Sequence, residues 1–283
     1  MLTNVRFLHA GWCRQSARLA GAAGGGWMRF YAVFVHFEHP VHGSCLIDTG
    51  YSEEFFRATQ PFPARLYRWI TPVELGNPPG PRARLNAAGI DPDLVRMIFV
   101  SHFHADHIAG LKDFPKARFV YRDDAYDRLM RQTVGAQVRH GFLRDLLPDD
   151  FVERGIPLDE SQFVSGNPAF GLAGEKSRES HDFRICDYFG DGSLTLVDLP
   201  GHADGHFGFV LQTAERPVFY IVDACWILEG MMERRRLPWI SRRFQHDEAA
   251  YLATQEKLRN LVRRSGLELI ACHCPQTLKH VPE

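Results

Sequence analysis

Apolar segments along the chain predict a series of strands, several of which end in an acidic residue or a histidine. The aromatic and β-branched segment 29–37 and the apolar segment 45–48 flank a stretch of turn-forming residues, so we predict a β-hairpin there. Later segments with buried-strand patterns cover 97–100, 193–199, 218–223 and 267–273. Each of these runs into residues that can bind a metal or a proton.

Helical patterns lie between the strands. Segment 82–88 is followed by Gly89 as a C-cap, segment 123–147 is broken by glycines, and segment 246–265 carries apolar residues at helical spacing. This alternation predicts the α/β class or sheets faced by helices. The segment 55–81 has no clear pattern.

The length allows one large or two modest domains, and we predict one domain over 1–283. The weakly periodic segment 149–187 is predicted to be an excursion from it, with a lid or a dimer contact as its candidate roles. A homo-oligomer is compatible with the sequence.

Composition and charge exclude several classes. The chain has 283 residues, 45% of them hydrophobic, which is typical of a globular protein. The 33 Lys and Arg are balanced by 34 Asp and Glu, so nucleic acid is not an expected partner. We find no apolar segment of membrane-spanning length and no signal-peptide core, and the six scattered cysteines suggest free thiols. A cytoplasmic location without membrane contact is therefore predicted.

The strongest chemical signal is His102-x-His104-x-Asp106-His107, directly after a predicted strand. Imidazole and carboxylate groups are the ligands that zinc prefers, and four of them within six residues predict a metal site. If the strand alternation continues, His102 and His104 face one side while Asp106 and His107 can face another, which suits two adjacent metals.

Three further strand ends supply the additional ligands that a dinuclear site needs. They are His202, Asp223 and His273. His206 is an alternative to His202, although a structural role is favoured because His202 directly follows the strand and Pro-Gly. Cys272 and Cys274 flank His273, and strand alternation predicts that both point away from the side that His273 faces.

This ordered set of motifs resembles the metallo-β-lactamase superfamily over about residues 30–275, and Leu46-Ile-Asp-Thr-Gly50 looks like its first motif. The resemblance implies an αββα sandwich, in which two mixed β-sheets pack together with helices outside. It assigns one metal to His102, His104 and His202, and the other to Asp106, His107 and His273. It also implies that Asp223 bridges the two metals and that Asp48 supports the site.

Within the superfamily, the chain is most similar to N-acyl-homoserine lactonases, as shown by Phe7-Leu-His-Ala-Gly-Trp-Cys13 and by the residues on either side of the metal motif. Such lactonases often place a Tyr three residues after the bridging Asp, where its hydroxyl meets the substrate carbonyl. Here that position is Trp226, whose indole N–H is a donor but which has no phenolic hydroxyl.

The leading hypothesis is therefore a metal-dependent hydrolase of a small lactone or ester, with N-acyl-homoserine lactone as the specific substrate. A water between two divalent ions would lose a proton and attack the carbonyl, and Asp106 or Asp223 would protonate the departing oxygen. Zinc is the expected metal, with iron, manganese or cobalt as alternatives. The aromatic residues Trp12, Trp27 and those of 55–69 are candidates to bind an apolar acyl tail.

Other functions on the same site remain open. A thioester hydrolase of the glyoxalase II type needs the same metals. A phosphodiesterase would also need cations near the metals, for which Lys112 and Arg122 are the nearest in sequence. A non-catalytic metal-binding relative and an iron-dependent redox relative are the remaining alternatives.

Overall fold

The computed structural model describes residues 1–167 and 183–281, which form two mixed β-sheets. The seven strands of the first sheet are β1 (Thr3–Ser16), β2 (Trp27–His39), β3 (Gly43–Ile47), β4 (Val73–Glu74), β5 (Val95–Phe99), β6 (Arg118–Arg122) and β7 (Gly155–Leu158). The six strands of the second are β8 (Val164–Gly166), β9 (Phe183–Asp187), β10 (Leu194–Asp198), β11 (Phe207–Gln212), β12 (Pro217–Val222) and β13 (Glu268–Ala271).

Strand order places β5, β10 and β12 inside the sheets and β13 at an edge of the second sheet. The first sheet has the order β4-β1-β2-β3-β5-β6-β7, antiparallel from β1 to β3 and parallel from β3 to β7. The second has the order β13-β12-β11-β10-β9-β8 and is antiparallel apart from the β12/β13 pair. The antiparallel pairing of β2 with β3 confirms the predicted hairpin.

The helices lie outside the two sheets. They are α1 (Glu53–Ala58), α2 (Ala64–Ile70), α3 (Gly80–Ala87), α4 (Ala105–Ile108), α5 (Asp123–Met130), α6 (Val134–Arg139), α7 (Leu228–Met232), α8 (Trp239–Arg242) and α9 (Glu248–Ser265). One apolar cluster fills the space between the sheets, a second packs the first sheet against α1 to α6, and a third packs the second sheet against α7 and α9. This arrangement confirms the predicted αββα sandwich.

Helix α9 shows how local sequence sets an element. Asp247 caps its start by accepting a hydrogen bond from the Ala250 backbone N–H, and Gly266 ends it in the left-handed conformation at φ +66°. The buried face includes Tyr251, Leu258 and Leu261, and the two leucines pack on the second sheet. No helix in the described residues is long and apolar enough to cross a bilayer.

The segment 149–187 contributes more regular structure than its weak periodicity suggests. Its described residues form β7 at one edge of the first sheet, and β8 and β9 at one edge of the second. Strands β7 and β8 are edge strands that pair on one side only, and β7 contains Pro157, so these two strands lack a strong apolar pattern. Residues 168–182 lie outside the described residues, and the single domain over 1–283 stays a prediction.

Candidate metal centre

The candidate ligands lie where four strands end. The segment that carries His102 to His107 follows β5, and His202 lies in the loop after β10. Asp223 directly follows β12, and His273 lies two residues after the end of β13. The chain thus gathers distant residues at one edge of the sandwich.

Two strained residues shape this edge. Val222, which precedes Asp223, has φ +51°, and Asp48 has φ +59°. Such values are uncommon for residues other than glycine and especially for a β-branched one. The surrounding structure must therefore hold both residues in place, and such strain is common at functional sites.

The first group of ligand atoms comes from His102, His104, His202 and Asp223, and these atoms all lie within 4.8 Å of one another. Nδ1 of His104 lies 3.1 Å from Nε2 of His202. Oδ2 of Asp223 lies 3.2 Å from the same His202 nitrogen. These distances bring three imidazoles and one carboxylate around one small space.

The second group comprises His107, Asp223, Cys272 and His273, again with ligand atoms within 4.8 Å. Asp223 belongs to both groups. Asp106 adjoins the second, because its Oδ2 lies 3.3 Å from Nε2 of His273 and 3.5 Å from Nε2 of His107. The structure therefore brings together all seven residues that the sequence singled out as ligands.

The predicted orientation of Cys272 is wrong. Strand alternation was expected to turn its thiol away from the side of His273, but its sulfur lies among the ligand atoms of the second group. The reason is that β13 ends at Ala271, so Cys272 and His273 lie beyond the regular alternation. Cys274 instead packs in the apolar cluster beneath α9.

Asp48 and Ser101 hold two of the histidines. Nδ1 of His107 donates to Oδ2 of Asp48 at 2.8 Å. Nδ1 of His102 donates to Oγ of Ser101 at 3.0 Å, and that hydroxyl donates to the same Asp48 oxygen at 2.7 Å. These bonds fix the rings so that the Nε2 atoms of His102 and His107 remain available.

Two other histidines are held by neutral acceptors. Nδ1 of His202 donates to Oε1 of Gln245 at 3.0 Å, and the Gln245 amide nitrogen donates to the Ser241 carbonyl at 3.2 Å. Nδ1 of His273 donates to the Tyr31 carbonyl at 2.9 Å. Sequence reasoning missed Ser101, Gln245 and Tyr31, of which only Ser101 adjoins the metal motif.

His206 already has a partner for each ring nitrogen. Its Nδ1 donates to the Leu199 carbonyl at 2.8 Å, and its Nε2 accepts from the Asp223 backbone N–H at 3.3 Å. Both contacts favour the structural role over a ligand role. His206 thereby helps to position the backbone of the shared aspartate.

The electrostatics of the groups suit cations. Burial lowers the pKa of His102 well below its usual range and that of His104 to about 3, so both imidazoles are neutral donors. Burial raises the pKa of Asp106, but nearby His107 and His273 outweigh it and bring the pKa to about 2. Burial also opposes ionisation of Asp223, yet His273 and His107 hold its pKa well below the usual range.

Three buried polar atoms test whether metal ions fit this site. Nε2 of His102, Nε2 of His107 and Oδ1 of Asp223 have no hydrogen-bond partner. Buried polar atoms without partners are costly and rare, and all three belong to the two groups. The neutral imidazole of His102 and the carboxylate of Asp223 offer free lone pairs that fit divalent cations such as zinc, and a cation at His107 would take the place of its ring proton.

Aromatic residues border the groups on one side. Phe30 stacks on His273 with ring centroids 5.1 Å apart, and Trp226 lies with its ring 6.1 Å from that of His202. Phe30 and Trp226 also contact each other at 6.0 Å. The structure thus places Trp226 beside the first group.

The other aromatic candidates are dispersed. Trp27 and Trp69 are 68% and 65% exposed, whereas Phe55 is buried against Tyr51. On another side, a small cavity next to His104 and His202 is lined by Leu129, Phe142 and Phe244.

The two cations considered for a phosphate substrate have other partners. Arg122 is buried and its guanidinium contacts Asp124 at 3.0 Å and Asp198 at 3.4 Å. Lys112 donates to the Asp145 carbonyl at 2.6 Å and lies 3.7 Å from Glu54. These contacts do not favour a phosphodiester substrate.

Comparison with known proteins decides the family, because the model of the metallo-beta-lactamase superfamily matches residues 37–220. The chain belongs to this superfamily. An N-acyl homoserine lactonase AttM of Rhizobium johnstonii is 28% identical over 204 residues, which cover 71% of this chain and 67% of that relative. The match therefore spans about two thirds of the relative.

Solved structures share the fold. An AiiA variant of B. thuringiensis with N-decanoyl-L-homoserine at its active site has a TM-score of 0.67 and 16% sequence identity. The match covers 98% of this chain and 96% of the AiiA chain. AidC, a dizinc quorum-quenching lactonase, has a TM-score of 0.61 and 14% identity, covering 96% and 87%. Membership of this superfamily implies divalent metal ions.

Proposed function

We propose that this metal-dependent hydrolase opens the ring of N-acyl-homoserine lactones with a pair of divalent ions, most simply two zinc ions. The observation that carries the proposal is the pair of ligand groups that share Asp223. The similarity to a curated N-acyl homoserine lactonase and to lactonase structures with related molecules bound supports the choice of substrate.

The proposed ligand sets follow the two groups. His102, His104 and His202 would hold one ion, and the other set is Asp106, His107 and His273. Asp223 would contact both ions, because its carboxylate is the one that both groups contain. When bound, the ions would supply a Lewis acid for the lactone carbonyl and would lower the pKa of water.

Asp106 and Asp223 are the residues suited to move the proton. Both pKa values lie below the usual range, so both groups are carboxylates at neutral pH. As water adds to the carbonyl carbon, Oδ2 of Asp106 can accept the proton and return it to the alkoxide that leaves when the ring C–O bond breaks. Asp106 is 8% exposed against 2% for Asp223, which makes it the more accessible group.

Trp226 is proposed to contact the substrate in place of a phenol. Its indole lies beside His202 and Phe30, so its N–H can reach a ligand near the first group. The cavity next to the same group has a volume of about 30 Å³ and is lined by Leu129, Phe142 and Phe244 together with Gln132 and Asp204, so it would receive only the start of an acyl tail.

The deciding experiment is hydrolysis of short- and long-chain N-acyl-homoserine lactones by zinc-reconstituted protein, followed by proton release. We expect kcat/KM above about 10⁴ M⁻¹s⁻¹, the low end of typical enzymes. Asp223→Ala should lose at least one metal and reduce kcat/KM by more than about 100-fold, since it removes the shared ligand.

Asp198→Asn is the matched control, because Asp198 also ends a strand but contacts Arg122 instead of the groups. It should keep both metals and the activity. A protein with two metals and no lactone turnover would overturn the substrate assignment, and thioesters of the glyoxalase II type would be tested next. Full activity of Asp223→Ala would refute the shared-ligand role.

A further inference from the structure

Cys272 places a sulfur atom among the ligand atoms of the second group. Its Sγ lies within 4.8 Å of the ligand atoms of His107, Asp223 and His273. The side chain is fully buried, so this thiol is held where it is by the surrounding structure. The mechanism proposed above gives it no role.

The hydrogen bonds of this thiol are dispensable. Its S–H points to the Val33 carbonyl at 3.5 Å and to the Tyr31 carbonyl at 3.7 Å. The Val33 carbonyl also accepts from the Tyr220 hydroxyl at 3.0 Å, and the Tyr31 carbonyl also accepts from His273 at 2.9 Å. Loss of the thiol proton would therefore leave neither carbonyl without a donor.

The same group contains two buried polar atoms that lack a hydrogen-bond partner. Nε2 of His107 and Oδ1 of Asp223 have no hydrogen-bond partner, and their side chains are 0% and 2% exposed. A cation would satisfy both atoms. Cys272 then adds a thiolate donor to a site that otherwise offers nitrogen and oxygen.

We propose that Cys272 is a sulfur ligand of the second ion, whose other proposed ligands are Asp106, His107, His273 and the shared Asp223. This inference rests on the metal centre of the proposed function. Thiolate is a soft ligand, so the second group would select zinc, cobalt(II) or cadmium over manganese or magnesium. The first group, which contains three imidazoles and no sulfur, would not share this preference.

The chain offers a matched control for this residue. Cys274 lies two positions further on and is also buried, at 2% exposure against 0% for Cys272, but it packs in the apolar cluster beneath α9. It is not among the ligand atoms of either group. Cys272→Ser and Cys274→Ser therefore make the same chemical change at different distances from the candidate ion.

The test uses the full chain with cobalt(II) as the probe, because a cobalt–thiolate bond gives a charge-transfer band in the near ultraviolet. We expect the band in the original protein and in Cys274→Ser, and its loss in Cys272→Ser. A band that persists in Cys272→Ser, or is absent from the original protein, overturns the inference. Circular dichroism checks that the variants fold.

A second measurement needs no variant. X-ray absorption of the zinc protein should show one sulfur for every two zinc ions, with a zinc–sulfur distance of about 2.3 Å against about 2.0–2.1 Å for nitrogen. Two bound ions and lactone turnover without the sulfur signal would overturn the role of Cys272 alone. The sulfur signal without turnover would support Cys272 and remove the lactone substrate.

Discussion

Four of the candidate ligand histidines are oriented by the ring nitrogen that faces away from the ligand groups. The acceptors differ in charge, because His107 donates to a carboxylate while the others donate to a hydroxyl, an amide or a backbone carbonyl. The pairs are His102 with Ser101, His107 with Asp48, His202 with Gln245 and His273 with Tyr31. Such partners commonly set ligand orientation and metal affinity.

Gln245 provides the clearest test of this principle. Gln245→Leu removes the acceptor of His202 and keeps a similar volume, so the ring loses its fixed orientation. We expect metal affinity at the first group to fall about 10–100-fold, which is typical for the loss of such a partner. Competition with a chromophoric chelator measures this change.

Gln245→Glu is the companion variant, because a carboxylate oxygen can accept the same hydrogen bond. It should keep an affinity close to that of the original protein. Equal affinities for Gln245→Leu and the original protein would mean that other contacts orient His202.

At the scale of elements, the loop after β10 and the start of α9 depend on each other. The Asp247 backbone N–H donates to the Gly201 carbonyl at 2.9 Å, and the His246 N–H donates to the His202 carbonyl at 3.0 Å. Gly201 has φ +125°, and a Cβ there would lie 2.1 Å from the Tyr251 backbone nitrogen. The first turns of α9 thus pack directly on the loop that carries His202.

Gly201→Ala should therefore move this loop and α9 apart. We expect a loss of about 3 kcal/mol or more, because steric overlap adds to the cost of the left-handed backbone. Gly190 also has a positive φ, +74°, but open space around it, so Gly190→Ala should cost only about 1–2 kcal/mol. Urea unfolding measures both, and equal losses would show that the contact with Tyr251 is unimportant.

His36 joins three neighbouring strands and gives a pH-dependent prediction. From β2, its Nδ1 donates to the Asn4 carbonyl of β1 at 3.1 Å, and its Nε2 contacts the Ser44 hydroxyl of β3 at 3.0 Å. Burial lowers its pKa below the ordinary 6.5. Below pH 6.5, His36 therefore binds a proton more readily in the unfolded chain than in the folded protein. The free energy of unfolding consequently falls as the pH falls.

Urea unfolding over a pH series should show this loss in the original protein, with a slope from His36 of up to about 1.4 kcal/mol per pH unit. His36→Gln keeps hydrogen-bonding capacity but does not titrate, so its curve should be flatter below pH 6.5. Parallel curves for the two proteins would exclude His36 as a contributor.

The elements that could be predicted from the sequence are those whose own residues form a recognisable local pattern. The central strands β5, β10 and β12 are continuous apolar segments, and α9 has a cap, a periodic face and a terminal glycine. Strand β1 escaped prediction because arginines and histidine interrupt its apolar positions. Ligand residues had a motif, whereas Gln245 meets His202 only through a long-range contact that no local pattern encodes.

At the scale of the whole molecule, the sandwich buries an unusual amount of charge at one edge. Asp48, Asp106 and Asp223 are all buried there. Burial opposes protonation of His107, but the nearby carboxylates of Asp106 and Asp48 outweigh burial and raise the pKa of His107 well above its usual range. Burial also opposes protonation of His273, and there the carboxylate of Asp223 outweighs it and raises the pKa. Without metal, protons on these two rings balance the carboxylates, and divalent cations would replace them.

Metal removal should therefore destabilise the entire fold, since the ligands come from both sheets and the unfolded chain cannot preserve their arrangement. Free zinc at 100 times its dissociation constant would add about 2.7 kcal/mol, which corresponds to a rise in Tm of roughly 5 °C for a chain of this size. Differential scanning calorimetry with zinc and with a chelator measures the shift. Asp223→Ala should show a much smaller one, because it removes a ligand from both groups. Identical midpoints with zinc and with chelator would contradict a metal centre that links the two sheets.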